Sequence, residues 1–143
     1  MINRFTHGTI WVLDQAKAKA FYTEKLGFEI RQDMQTEGFS WVTVGPPDQP
    51  DIELILMEPG MPGHDAETEK QIRTLVAKGA LGAGVFGTDD CRKTYEELTA
   101  VGVVFTQEPA ERPYGVEAVF RDDSGNWFSL TERRPWDPEK SFG

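Results

Sequence analysis

The chain has 143 residues, 38% hydrophobic and 27% charged, which is the size and balance of one compact domain with a real core. A formal net charge of −9 repels phosphate backbones and anionic lipid, so neither nucleic acid nor membrane is expected as a partner. The single cysteine, Cys91, excludes an intrachain disulfide and a cysteine-rich zinc site. No run of about 18 apolar residues is present, and MINRFTHGT has no basic segment followed by an apolar one. No secretory leader is therefore expected, and a cytoplasmic location is.

Gly8 to Leu13 is rich in β-branched and aromatic residues and predicts a strand. Asp14 is placed to cap a helix from Gln15 to Leu26, which Gly27 ends. Three strand-like runs follow, Phe28 to Met34, Phe39 to Val44 and Ile52 to Met57, separated by turn chemistry in TEG and GPPDQPD. EPGMPGH predicts a loop, and Asp65 caps a linker helix over Ala66 to Lys78 with Ile72, Leu75 and Val76 on its apolar face. The first pattern then returns. Leu81 to Thr88 predicts a strand, and Asp90 caps a helix with Cys91, Thr94, Leu98 and Val101 inward, ended by Gly102. Val103 to Thr106, Ala118 to Arg121 and Trp127 to Thr131 predict three more strands.

The capping residues Asp14 and Asp90 stand 76 positions apart, and the terminating Gly27 and Gly102 stand 75 apart. Ile52-Glu53-Leu54 maps onto Phe128-Ser129-Leu130 at 76 again. Agreement of order and spacing argues for a duplicated strand–helix–three-strand module. The expected division is a first module over about 4–58, a linker helix over 59–80, a second module over 81–132 and a tail over 133–143.

That order, with a capped helix ending in FYTEKLGF and a second half reading TDDCRKTYEELTAVGV and FRDDSGNWFSL, resembles the vicinal oxygen chelate superfamily of glyoxalase, bleomycin resistance protein and dioxygenase type. The resemblance implies an α+β fold in which two tandem βαβββ modules form curved mixed sheets around a cleft. It also implies pairing of modules within a chain or across a homodimer; the tail Arg133-Arg134-Pro135-Trp136 is a candidate to pack across such an interface. Fold resemblance does not settle activity.

Strand alternation puts His7, Thr9 and Trp11 on one face, and Glu53, Ile55 and Met57 on one face. A carboxylate amid DIELILME is costly if buried alone, so an imidazole and a carboxylate on two strands would satisfy each other or a divalent ion. His7 and Glu53 match the family's first-module metal ligands. The second module breaks the pattern, with Ala83 and Ser129 at the equivalent positions by numbering. Glu117, His64 and Glu132 are candidates to complete a set, although His64 is read as an exposed loop residue.

Trp11, Trp41, Met57 and Trp127 suggest an aromatic-lined cleft for a small molecule; the competing account is core or interface packing. QEPAERPYGVEA stands where relatives place a loop over the cleft mouth, offering the Arg112 guanidinium and the Tyr114 hydroxyl. Three functions fit these residues. The leading one is a binding protein of the glyoxalase/bleomycin-resistance type that holds a small molecule in the cleft without catalysis. The alternatives are a metal-dependent lyase, isomerase or dioxygenase using His7 and Glu53, and a structural or interaction module whose cleft is filled.

Overall fold

A computed structural model of the chain describes residues 1–60 and 63–143. The elements in order are β1 (His7–Trp11), α1 (Gln15–Ala20) running into one π-helical turn (Phe21–Lys25), β2 (Glu29–Thr36), β3 (Phe39–Gly45) and β4 (Glu53–Met57). The linker helix α2 (Ala66–Ala77) follows, then β5 (Gly82–Gly87), α3 (Cys91–Ala100), β6 (Val104–Arg112), β7 (Gly115–Arg121) and β8 (Trp127–Arg133). Among the described residues no helix is long and apolar enough to cross a membrane.

The strands form two mixed four-stranded sheets, in the orders β1-β4-β3-β2 and β5-β8-β7-β6. In each, the first and last strands of the module pair in parallel and the other pairs are antiparallel. This is the expected α+β arrangement of two βαβββ modules.

The two module helices and the linker helix each start where an aspartate caps them: Asp14, Asp65 and Asp90 accept from the backbone N–H groups of Lys17, Thr68 and Lys93. The predicted helix to Leu26 instead widens after Ala20, where the Leu26 N–H reaches the Phe21 carbonyl five residues back. The wider turn lets the consecutive rings of Phe21 and Tyr22 both enter the core, at 7% and 0% exposure. Val101, read as part of the α3 stripe, lies beyond the helix and is half exposed. The predicted loop Glu58–His64 includes Met61 and Pro62, which lie outside the described residues.

The largest departure is QEPAERPYGVEA. It is a long β-hairpin, β6 to β7, turning at Pro113-Tyr114. Pro109 obscured it, because proline cannot donate to a ladder; here it stands on an edge strand at a register shift between Gln107 and Ala110.

The two modules share one core. Ile10, Val12, Val42, Val44 and Leu56 of the first pack in one cluster with Val116, Ala118, Phe120, Phe128 and Leu130 of the second. Tyr22 sits between them, its ring 6.4 Å from Phe128, while Phe28 meets Phe86 edge-on at 5.3 Å. These are the helix-facing sides of both sheets, so the modules stand back to back.

One buried carboxylate ties them. Asp122 Oδ1 accepts from the backbone N–H groups of Ser124, Gly125 and Asn126, each at 2.9 Å. Its Oδ2 accepts from the Tyr22 hydroxyl at 2.7 Å and from Asn126 Nδ2 at 3.0 Å. The turn so ordered reaches back to the first module: Asn126 Nδ2 donates to the Trp11 carbonyl and Ser124 Oγ accepts from the Leu13 N–H. Gly125, at φ 118°, presses on the C-terminal end of α2, where any Cβ would collide with the Val76 carbonyl oxygen.

Burial, and next the neighbouring Asp122, hold the Tyr22 phenol well above its ordinary value of 10.0. The folded chain thus keeps a proton that the unfolded chain releases, and stability falls as pH climbs past that ordinary value. Tyr22→Phe should destabilise the chain by about 1.5–3 kcal/mol at pH 7 by urea denaturation, the worth of a hydrogen bond to a charged group. It should also flatten the decline in stability above pH 10, without abolishing it, because Tyr114 is raised as well.

Candidate functional site

The sheet faces opposite the shared core carry the residues that the sequence singled out. On the first face, parallel register sets His7 directly across from Glu53. His7 Nε2 lies 3.1 Å from Glu53 Oε2, and the fully buried Thr43 donates its hydroxyl to Glu53 Oε1 at 2.6 Å. The other imidazole nitrogen meets the Thr6 hydroxyl at 2.9 Å. The carboxylate and imidazole therefore satisfy each other, which is one of the two arrangements expected. Trp41 flanks His7 at 6.2 Å and stacks on Phe39 at 6.2 Å.

Further along this face, Trp11 stands across from Met57 in register. His64 packs its ring on Trp11 at 5.0 Å and accepts from the Gly60 N–H through Nδ1, so the neutral ring carries its proton on Nε2. His64 is half-buried rather than the exposed loop residue expected. Met57 is buried and lines a hollow of about 440 Å³ with Gln15, Phe39, Ser40 and Glu58.

The second face is built differently. The β5–β8 register pairs Gly82 with Trp127 and Val85 with Ser129, where the first module pairs His7 with Glu53 and Thr9 with Ile55. Trp127 is therefore the register counterpart of Glu53, and Ser129 that of Ile55, two residues from the match made by numbering. A slip of two keeps the same face, which is why alternation did not expose it. Ala83 falls in the register shift between Gly82 and Gly84. The Trp127 indole lies over Gly82, where an added Cβ would come within 2.5 Å of Cζ2. One side of the indole stays open, at 39% exposure, near Val85 at 69%.

Glu117 organises the polar end of this face. Its Oε2 accepts from Ser129 Oγ at 2.6 Å and its Oε1 from the Tyr114 hydroxyl at 2.7 Å, with Arg112 Nε 3.8 Å away. Thr131 extends the chain of hydroxyls to Ser129 at 2.8 Å. Burial, and next the bond to Glu117, push the Tyr114 phenol up to about 12, so it remains a hydrogen-bond donor. Arg112 Nε is shielded from solvent and has no hydrogen-bond partner among the described residues.

His7 with Glu53, Trp11 with Met57, and Arg112 with Tyr114 are thus brought together in pairs. No hydrogen bond or ion pair among the described residues joins the first-face set to Trp127, Arg112 or Tyr114. Glu132 is not on this face: it accepts from the Cys91 N–H at the start of α3 and pairs with Arg134. Thr43 was missed, although alternation in SWVTVG places it beside Trp41. Cys91 is buried and its thiol is raised by burial, as an inert core residue should be.

The family's metal asks for three or more donors around one point. Among the described residues no such group of histidine, cysteine, aspartate or glutamate exists. The two donors present are engaged with each other and with Thr43, and each oxygen of Glu117 accepts a hydroxyl. The donor set does not fit a divalent ion.

The family model for the glyoxalase/bleomycin resistance protein/dioxygenase superfamily matches residues 4–130. YurT of Bacillus subtilis (strain 168) is 38% identical over 125 residues, covering 87% of this chain and 95% of that protein. Among solved structures, UcmS2 is 56% identical at a TM-score of 0.88, over 92% of this chain and 99% of that one. TnmS3, an antibiotic binding protein from Streptomyces sp. CB03234, is 29% identical at a TM-score of 0.73, over 93% and 98%. With that match spanning both βαβββ modules, the chain belongs to the glyoxalase/bleomycin resistance protein/dioxygenase superfamily.

Proposed function

We propose that this protein binds a small, largely apolar organic molecule without transforming it, in a cleft that two copies of the chain complete. The observation that carries the reading is the state of the two outward faces. Their polar groups are already paired, as His7–Glu53–Thr43 and as Glu117–Ser129–Tyr114, while aromatic and aliphatic side chains are left open beside them. Such surfaces suit apolar contact and a few oriented hydrogen bonds, the usual make-up of a small-molecule site. They offer no activated nucleophile and no open coordination position. The antibiotic binding named for TnmS3 supports the same class of activity.

The back-to-back packing favours a homodimer. Within one chain the two faces point away from a common core, so a cleft walled by both needs the first face of one copy and the second face of another. Trp11, Met57, His7 and Glu53 would form one wall, and Trp127, Arg112 and Tyr114 the other. Trp127 supplies a flat apolar surface, Arg112 a guanidinium donor to a ligand oxygen, and Tyr114 a hydroxyl oxygen that can still accept. A reducing, cytoplasmic setting suits the lone thiol of Cys91.

Screening a panel of aromatic antibiotics and metabolites by thermal shift should find a compound that raises the melting temperature. Trp127→Ala should then weaken it by about tenfold or more, the loss of one well-packed aromatic contact. Gly82→Ala should weaken it as well, through the displaced indole and without loss of fold. Light scattering should give twice the chain mass; a monomer that still binds with full affinity would remove the shared cleft. Divalent metal should leave affinity unchanged, whereas an affinity that depends on metal and is lost in Glu53→Gln would restore the lyase or dioxygenase reading.

A further inference from the structure

The C-terminal tail folds back over the turn of its own β6–β7 hairpin. The Arg134 N–H donates to the Tyr114 carbonyl at 2.9 Å and the Asp137 N–H to the Pro113 carbonyl at 2.8 Å. Lys140 Nζ lies 3.2 Å and Arg134 3.4 Å from Glu111. Phe142 packs on Tyr114 at 6.1 Å and on Trp136 at 5.8 Å, and Gly143 lies against the Arg112 guanidinium. Pro113, at a hairpin turn that is ordinarily solvated, has a fully buried side chain.

The cover is tight over the hairpin and loose on its outside. The Arg112 side chain is 13% exposed, whereas Trp136 and Phe142 stay 61% and 68% exposed. The tail's ion pairs are on the surface, where each contributes little and salt weakens it. Arg112 and Tyr114 belong to the Glu117 cluster, so the tail sits on one end of the second face.

We propose that Trp136–Gly143 is a strap that must lift before a ligand reaches Arg112 and Tyr114. It rests on reading those two residues as ligand-facing, but its test needs no ligand. Phenylglyoxal labels accessible guanidinium groups, and peptide mass mapping follows Arg112 alone. In the intact chain Arg112 should label slowly, and several-fold faster in 1 M than in 0.1 M sodium chloride as the ties to Glu111 are screened. A chain ending at Pro135 should label it at least about tenfold faster, with no dependence on salt. Phe142→Ala should label faster than the intact chain, and Phe142→Trp at the intact rate. Should truncation unfold the protein, Lys140→Ala in the full chain gives the same reading, with faster labelling expected. Equal rates in intact and loosened chains at an unchanged melting temperature, or an intact chain indifferent to salt, overturn the strap. Neither result bears on whether the cleft binds a small molecule, which the thermal-shift panel decides separately.

Discussion

The buried carboxylate of Asp122 is the constraint on which the arrangement turns. A charged group inside a protein is tolerated only when its lone pairs are met, and Asp122 meets its own with three backbone N–H groups, an amide and the Tyr22 phenol. Four of these donors come from its own turn and the fifth comes from the other module. Satisfying the charge therefore brings the first module's helix onto the second module's last hairpin. The shared apolar core fills in around that contact, and the opposite faces are left to look outward. A duplicated chain with an alanine at position 122 would lose the polar reason to choose this docking over a sliding apolar one.

Once the modules are docked through their helix sides, the two faces evolve under different demands. The first kept an acid and an imidazole one hydrogen bond apart, held by Thr43. The second, at the register position of the acid, carries Trp127, and Gly82 across the ladder has no side chain to obstruct the indole. Its carboxylate, Glu117, comes from the neighbouring strand and is quenched by hydroxyls. Two sheets of matching strand order thus present one wall with a closed acid–base pair and one wall with an open aromatic plate. Under the proposed function, that asymmetry orients a ligand that has an apolar side and a polar edge.

Much of this was readable from residues. The capping aspartates, the terminating glycines and the repeat in strand order located nearly every element, because caps and turns act locally. Alternation placed His7 and Glu53 on inner positions of neighbouring strands. Three features were not readable. The β6–β7 hairpin was hidden by Pro109, whose cost vanishes on an edge strand at a register shift. The pairing of Trp127 with Gly82 was hidden because a two-residue slip leaves the inward pattern intact. The fold-back of the tail depends on Glu111, Arg134 and Lys140, and surface charges carry no periodicity to declare a partner.

The closed His7–Glu53 pair also bears on the chemistry that a relative with a metal would perform. A metal ligand must offer its lone pairs to an ion, whereas Glu53 accepts from His7 and from Thr43, and the two His7 nitrogens face Glu53 and the Thr6 hydroxyl. Opening the pair would leave a carboxylate partly buried at 26% exposure, a cost that only a cation delivered with further donors can offset. In the proposed dimer those further donors would have to come from the partner copy's second face, where Trp127 occupies the acid's place and Glu117 already accepts two hydroxyl protons. The carboxylates of both faces, Glu53 and Glu117, are engaged in holding those faces in shape. The same engagement is useful to a binding protein, because a wall whose hydrogen bonds are internally met loses little on drying when an apolar ligand covers it.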